Sequence, residues 1–150
     1  MRKSYLLLLF CFCIAQLYAR VPSTSKIRLT DNWEFLKQDV GGIWEIVRPF
    51  TAGSPETIPI WTKVTLPHCF NSFDAVDPDI NYYQGPGWYK TLLSLKNTYP
   101  NGRILLDFEG AGQKTDVYIY TTKVGSHIGG YDEWTVDITD AVERFMQTDA

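Results

Sequence analysis

A two-residue period runs through most of the chain and restricts its fold more than any other feature. In Gly102-Arg-Ile-Leu-Leu-Asp-Phe-Glu-Gly110, Ile104, Leu106 and Phe108 fall on one face, and Leu105, Asp107 and Glu109 on the other. Successive side chains of a strand point to opposite faces, so this segment reads as a strand with one apolar and one mostly polar side. Asp116 to Tyr120 alternates in the same way, with Val117 and Ile119 directed inward. Trp134, Val136 and Ile138 alternate against Glu133, Thr135, Asp137 and Thr139. Further candidate strands are Lys26 to Leu29, Trp33 to Leu36, Ile43 to Val47 and Trp61 to Leu66. Asn101-Gly102 tolerates positive φ and signals a tight turn, so 88–95 and 103–109 are expected to pair as an antiparallel hairpin. Many short strands between turn signals predict an all-β sandwich or barrel. Only one segment reads as helix. Val142, Phe145 and Met146 form a one-sided stripe behind Asp140 and Glu143, which have capping-box spacing, and one or two turns are expected there. Segments 51–59 and 74–87 read as loops of a length that is often functional.

The first nineteen residues do not fit this pattern. Arg2 and Lys3 precede an apolar run from Tyr5 to Ala15. The run falls short of the roughly 20 residues a membrane span takes, so no membrane span is expected. It has the proportions of a secretory signal peptide, residues 1–19, with cleavage after Ala19 and export to the periplasm or beyond. Lipidation at Cys11 or Cys13 is the less favoured alternative, because neither has a clear small residue before it. Removing 19 of 150 residues leaves 131, one domain's worth, running from 20 to 150. Cys69 is then the single cysteine, so no intrachain disulfide can form and the core must come from apolar burial. The remainder has 12 basic and 17 acidic residues, and a mildly acidic chain without a basic run is a poor candidate for nucleic acid or an anionic membrane surface. All five tryptophans lie in this part, and aromatics make up 15% of the chain, which suits both a packed β-core and flat-ring contact with sugars.

His68-Cys69 looks at first like a thiol with its base. Pro67 restricts Leu66 to extended geometry, and on an extended segment adjacent side chains point apart, which places them poorly for that chemistry. A metal site would need more His or Cys at ligand spacing, so neither metal nor cofactor is expected. The favoured reading is a strand-end histidine hydrogen-bonded to backbone beside a small, partly buried cysteine. Asp107 and Glu109 share a strand face about 6–7 Å apart, a spacing within the range of a glycosidase carboxylate pair, but solvated acids on an exposed face are common. Gly125-Ser-His-Ile-Gly-Gly-Tyr131 lacks the Gly-Lys-Ser/Thr ending of a phosphate loop. It reads as a loop, with Gly129-Gly130 bending the chain before Trp134 and His127 as a candidate ligand contact.

Four motifs, taken in order, resemble one family: Trp61-x-x-Val-x-Leu-Pro-His68, Tyr83-Gln-Gly-Pro-Gly-Trp-Tyr-Lys90, Leu106-Asp-Phe-Glu-Gly110 and Val124-Gly-Ser-His-Ile-Gly-Gly-Tyr131. With the closing Val136-Asp-Ile-Thr139 they are similar to the amino-terminal region of glycoside hydrolase family 2, which includes β-galactosidases, β-glucuronidases and β-mannosidases. The resemblance covers roughly Lys26 to Met146. It implies a jelly-roll β-sandwich of the sugar-binding type, followed in the family by an immunoglobulin-like domain and a (β/α)₈ barrel that carries the catalytic glutamates. Such a barrel takes about 250 residues, so no catalytic residue is expected in this chain. A jelly roll has about eight strands, and this one is expected to lack its last ones. An open edge of that kind predicts poor solubility or marginal folding of 20–150 alone. Two departures stand out: Cys69 where many relatives have Asp, and Tyr120-Thr121 where many have Asn-Gly.

The function implied is that of a non-catalytic domain of an exported family 2 glycosidase, supporting the barrel and shaping one wall of its cleft. Its partners would be a glycoside and the remaining domains of the parent enzyme. A stand-alone carbohydrate-binding module is the alternative from another class. Trp88, Tyr89, His127, Tyr131 and Trp134 are the candidate sugar contacts. A complete small hydrolase would have to turn over a chromogenic glycoside by itself, and none is expected.

Overall fold

A computed structural model describes residues 24–48, 59–95 and 102–148. The chain divides into two units, Met1–Thr30 and Asp31–Ala150. The signal-peptide expectation, the 51–58 part of the first loop and the Asn101 turn residue lie outside the described residues. In the first unit, residues 24–30 carry neither helix nor strand, so the strand expected at Lys26 to Leu29 does not form.

The second unit is dominated by strands. β1 (Trp33–Lys37), β2 (Thr62–Val64) and β3 (Gly87–Lys90) form an antiparallel sheet in the order β2-β1-β3. β4 (Leu105–Phe108) pairs antiparallel with β7 (Trp134–Asp137), and β5 (Lys114–Ile119) with β6 (Thr122–Ile128). Among the described residues no ladder closes into a barrel. Phe35 and Leu36 are adjacent on β1 and both buried, so this central strand is covered on both faces.

Among the described residues the expected hairpin of 88–95 with 103–109 is not present. β3 lies beside β1, with Phe35 opposite Tyr89, and β4 lies beside β7, with Phe108 opposite Trp134. Pairing at long sequence separation wins because it brings aromatic side chains together across each ladder. Ile43 to Val47, expected as a strand, is a one-turn helix, α1 (Ile43–Val47). Its Arg48 N–H bonds Trp44 O at 3.0 Å, Arg48 pairs with Glu45 one turn back, and none of its residues is buried. A five-residue apolar run is too short for its period to separate helix from strand.

The expected inner faces do form. Val136, Ile138 and Val142 make the buried centre, with Ile104, Leu106, Phe108, Val117, Ile119 and Trp134 packed against it. Burying one such aliphatic side chain contributes about 1.5–3 kcal/mol. α2 (Thr139–Thr148) is longer than the one or two turns expected. Its start is held by Asp137 rather than by Asp140 with Glu143: Asp137 Oδ1 accepts the Thr139 N–H at 3.0 Å and its hydroxyl at 2.7 Å. The Thr139 hydroxyl oxygen in turn accepts the Ile104 N–H at 2.8 Å, which ties α2 to the start of β4. Thr139, Ala141 and Val142 are buried in α2, while Phe145 and Met146 of the predicted stripe are exposed, with Phe145 packed beside Tyr120.

Candidate functional site

The five candidate sugar contacts separate into two groups. Trp88 and Tyr89 lie on β3, in the three-stranded sheet; His127 is on β6, Trp134 on β7, and Tyr131 in the turn between.

Tyr89 is built into an aromatic cluster. Its ring lies 4.8 Å from that of Phe35, and its Oη is 2.8 Å from His68 Nδ1. Burial, with a smaller contribution from Cys69, pushes the Tyr89 phenol up to about 12. It therefore stays protonated at neutral pH and can donate to His68 Nδ1. The His68 ring also sits 5.0 Å from Phe35. Its partner is thus a tyrosine side chain, where backbone was expected, and Cys69 is exposed rather than partly buried. Trp88 presents a buried indole Nε1 without a hydrogen-bond partner.

The second group is a ring stack. Phe108 and Trp134 are parallel to within 10° at 4.3 Å, and His127 and Trp134 to within 14° at 4.8 Å. Two rings so close and so nearly parallel would overlap if they shared one indole face, so Trp134 is covered on both. His127 belongs to a strand, not to the loop expected around it, because β6 runs through Ile128. β6 lies antiparallel alongside β7, with His127 against Trp134 and Gly125 against Val136. A Cβ at Gly125 would stand 2.9 Å from Val136 Cγ2, so that glycine serves close packing and not a bend. The bend is at Gly129, whose φ of 154° favours glycine. A Cβ there would meet Asp132 Oδ1 at 2.3 Å and His127 Nε2 at 2.8 Å, so Gly129 is what lets those two side chains approach.

His127 Nε2 lies 2.9 Å from Asp132 Oδ2, in ion-pair range but not aligned as a directed hydrogen bond. The histidine holds the Asp132 carboxyl below the usual carboxylate range. Tyr131, one residue before, is fully exposed. Asp107 Oδ1 accepts a hydrogen bond from Thr135 Oγ1 at 2.8 Å. Among the described residues no group of three or more His, Cys, Asp or Glu is placed to hold a metal ion. Tyr131 thus stands open, while His127 is held by stacking on Trp134 and by the Asp132 carboxylate. Asp132 and Phe108 escaped the sequence reading as site residues. The close glycines at 129 and 130 were the available signal, since they let residue 132 fold back on 127.

No family model matches the chain. Solved structures do. The chain is similar to the β-glucuronidase of Parabacteroides merdae, with 72% identity and a TM-score of 0.75, over 85% of this chain and 16% of that one. It is also similar to β-glucuronidase 3 of Bacteroides uniformis, with 66% identity and a TM-score of 0.75, over 84% of this chain and 16% of that one. A putative β-glucuronidase of Formosa agariphila is 31% identical over 121 residues, 81% of this chain and 14% of that protein. The chain is thus homologous to a segment of glycoside hydrolases, the kind of protein to which its four motifs pointed. More particularly, the two solved relatives are β-glucuronidases, and the chain spans 14–16% of the length of the three.

Proposed function

We propose that the chain acts as the amino-terminal, non-catalytic domain of an exported β-glucuronidase-type glycoside hydrolase. In this reading residues 20–150 build a sugar-binding-type jelly-roll sandwich that supports a catalytic barrel supplied by further polypeptide. Hydrolysis of the O-glycosidic bond of a glucuronide is then done by carboxylates outside this segment. The observation that carries the reading is the Parabacteroides merdae match: high identity over most of this chain, yet over only 16% of that enzyme. Export rests on Arg2, Lys3 and the apolar run that follows, read as a signal peptide over residues 1–19. Among the described residues no helix is long and apolar enough to cross a membrane.

Tyr131 and His127 are the residues proposed to reach toward the sugar, Tyr131 because its ring is open and His127 because Asp132 and Trp134 hold it in place. Tyr89 and Trp134 serve packing in this reading, since the rings around them occupy the faces a sugar would need. Two assays test it. The 150-residue chain alone is expected to leave a chromogenic glucuronide intact. The Parabacteroides merdae enzyme is expected to keep its activity when its matching segment is replaced by this chain. Turnover by the chain alone, or a folded but inactive chimera, would overturn the reading.

A further inference from the structure

His127 joins a fixed stack to an open turn. Its ring lies on Trp134 at 4.8 Å, and Phe108 covers the far face of that indole at 4.3 Å, so the base of the stack is held in place. Its other contact is Asp132, whose Oδ2 is 2.9 Å from Nε2. Nε2 is buried and lacks an aligned hydrogen bond, so this contact depends on charge more than on a directed proton. Asp132 belongs to the 129–133 segment, which carries bends between β6 and β7 and joins no ladder. The Asp132 side chain is 57% exposed and Tyr131 is fully exposed, so burial does little to hold the segment. At its start the Gly129 N–H bonds Gln113 O at 3.0 Å. Beyond that point the Asp132 carboxylate ties the turn back to β6.

The groups around the imidazole are few. On β5 its ladder partner is Thr115, and the flanking Lys114 and Asp116 point to the opposite face, Asp116 being paired with Lys123 at 2.7 Å. On β7 the ring meets Trp134, which stands between Glu133 and Thr135. On β4, Phe108 stands between Asp107 and Glu109, and Asp107 takes the Thr135 hydroxyl. Asp132 is thus the charged group that reaches the ring, and the histidine, with the N–H groups of 131 and 132, keeps that carboxyl ionised. An imidazolium is drawn to the carboxylate and to the indole face, whereas a neutral ring brings no charge to either. A neutral ring with its proton on Nδ1 turns a lone pair toward the carboxylate. Histidine changes charge between about pH 5 and 8.

We propose that His127 and Asp132 form a pH-sensitive latch on the 129–133 turn. Closed while the imidazole is protonated, it fixes the backbone that carries Tyr131; as the proton leaves to solvent, it releases that turn. Gly129 is the hinge, since only a residue without a Cβ lets the two side chains close over it. The latch sets the order of the turn whatever Tyr131 touches, so it stands apart from the sugar-contact reading above.

The test is NMR relaxation on the full 150-residue chain. The amide order parameter of Tyr131 is expected to fall from near the rigid value of about 0.85 at pH 5 toward about 0.6 at pH 8. The chain has two histidines, and His127→Phe removes one ring signal and so assigns the other. The midpoint of the Tyr131 change is expected to coincide with that of the His127 ring signal. Asp132→Asn keeps the size of an exposed side chain, and His127→Phe keeps a ring on Trp134. Both are expected to show the low order at either pH. Loss of order at Val136 in parallel with Tyr131 would mean loosening of the whole core and overturns the latch. A Tyr131 order that does not change with pH overturns it, as does the same fall in Asp132→Asn as in wild type. Full order in either variant at pH 5 also overturns it.

Discussion

His68 Nδ1 and Tyr89 Oη stand 2.8 Å apart across 21 residues of sequence, joining two of the motifs on which the family resemblance rests. Burial of the phenol in an apolar cluster with Phe35 raises its titration from the ordinary value near 10 to about 12. A group whose pKa is raised by folding contributes stability that is complete below its unfolded value and is lost as pH climbs through its folded value. Wild type should therefore lose stability between pH 10 and about 12 more steeply than Tyr89→Phe, which has no phenol to ionise. At neutral pH the Phe variant should be less stable by about 1 kcal/mol, the net worth of one hydrogen bond. Urea unfolding across that pH range checks both statements, and parallel pH curves for the two proteins would refute the first.

Gly125 offers a sharper test of packing. Its missing Cβ is the space that Val136 fills, and Val136 is 6% exposed at the centre of the core. Gly125→Ala should destabilise by about 1–3 kcal/mol, the usual cost of overpacking a filled site. Trimming the obstacle in Gly125→Ala with Val136→Ala should make the two losses less than additive. Strict additivity in a double-mutant cycle would show that the strands do not press together there.

The same pair shows what the sequence could reveal. The inward positions Val117, Val136 and Ile138 follow from period two alone, since facing is a local property of an extended chain. Partner choice is not local. β4 meets β7 because Phe108 and Trp134 stack, and no turn signal near 101 announces that. Glycine was the most misleading letter: at 125 it reads as a loop residue, yet it lies within a strand because a neighbouring valine needs the room. The site was legible by residue type and opaque by grouping. His127 and Trp134 do meet, Tyr89 instead joins His68, and Asp132 is absent from any motif.

Thr139 joins sheet to helix, and removing its hydroxyl should be costly. In Thr139→Val the Ile104 N–H loses its acceptor in a part-buried position, and Asp137 loses a donor. A loss of about 1–3 kcal/mol is expected, that of a stranded backbone donor. Thr139→Ser should retain most of the stability, because it keeps the oxygen. Equal loss in the two variants, measured by chemical denaturation, would assign the effect to the methyl group instead.

Among the described residues, three carboxylates set the acid limit of the fold. Asp74 is lowered first by Lys37, Asp132 by His127, and Asp137 by Thr139 with help from Arg103. Carboxyls depressed by folding contribute stability above their unfolded value of about 3.9, and this is lost as pH falls through the folded values. Stability should thus decline below about pH 4, and the gap between wild type and Lys37→Met should narrow over the same range as Asp74 becomes protonated. A gap that stays constant down to pH 2 would mean that Lys37 acts through packing over the Tyr83 ring, where its ammonium lies 5.4 Å from the centroid.

Tyr120 occupies the first position of the two-residue turn between β5 and β6, with φ at 54°. The left-handed region costs an ordinary L-residue about 1–2 kcal/mol, and asparagine rather less because its short side chain can bond locally. This is where the sequence departs from the Asn-Gly of the family it resembles: the first turn position keeps a left-handed backbone, whereas Thr121 at the second does not, so the strain falls on Tyr120. What Tyr120 gains in exchange is modest, a tilted contact with the partly exposed Phe145 at 5.8 Å. Tyr120→Asn should therefore raise stability by about 0.5–1 kcal/mol, whereas Tyr120→Ala should lower it by losing the ring contact without easing the backbone. If Asn and Ala behave alike in thermal unfolding, the contact with Phe145 outweighs the turn geometry, and α2 depends on Tyr120 for its last turns.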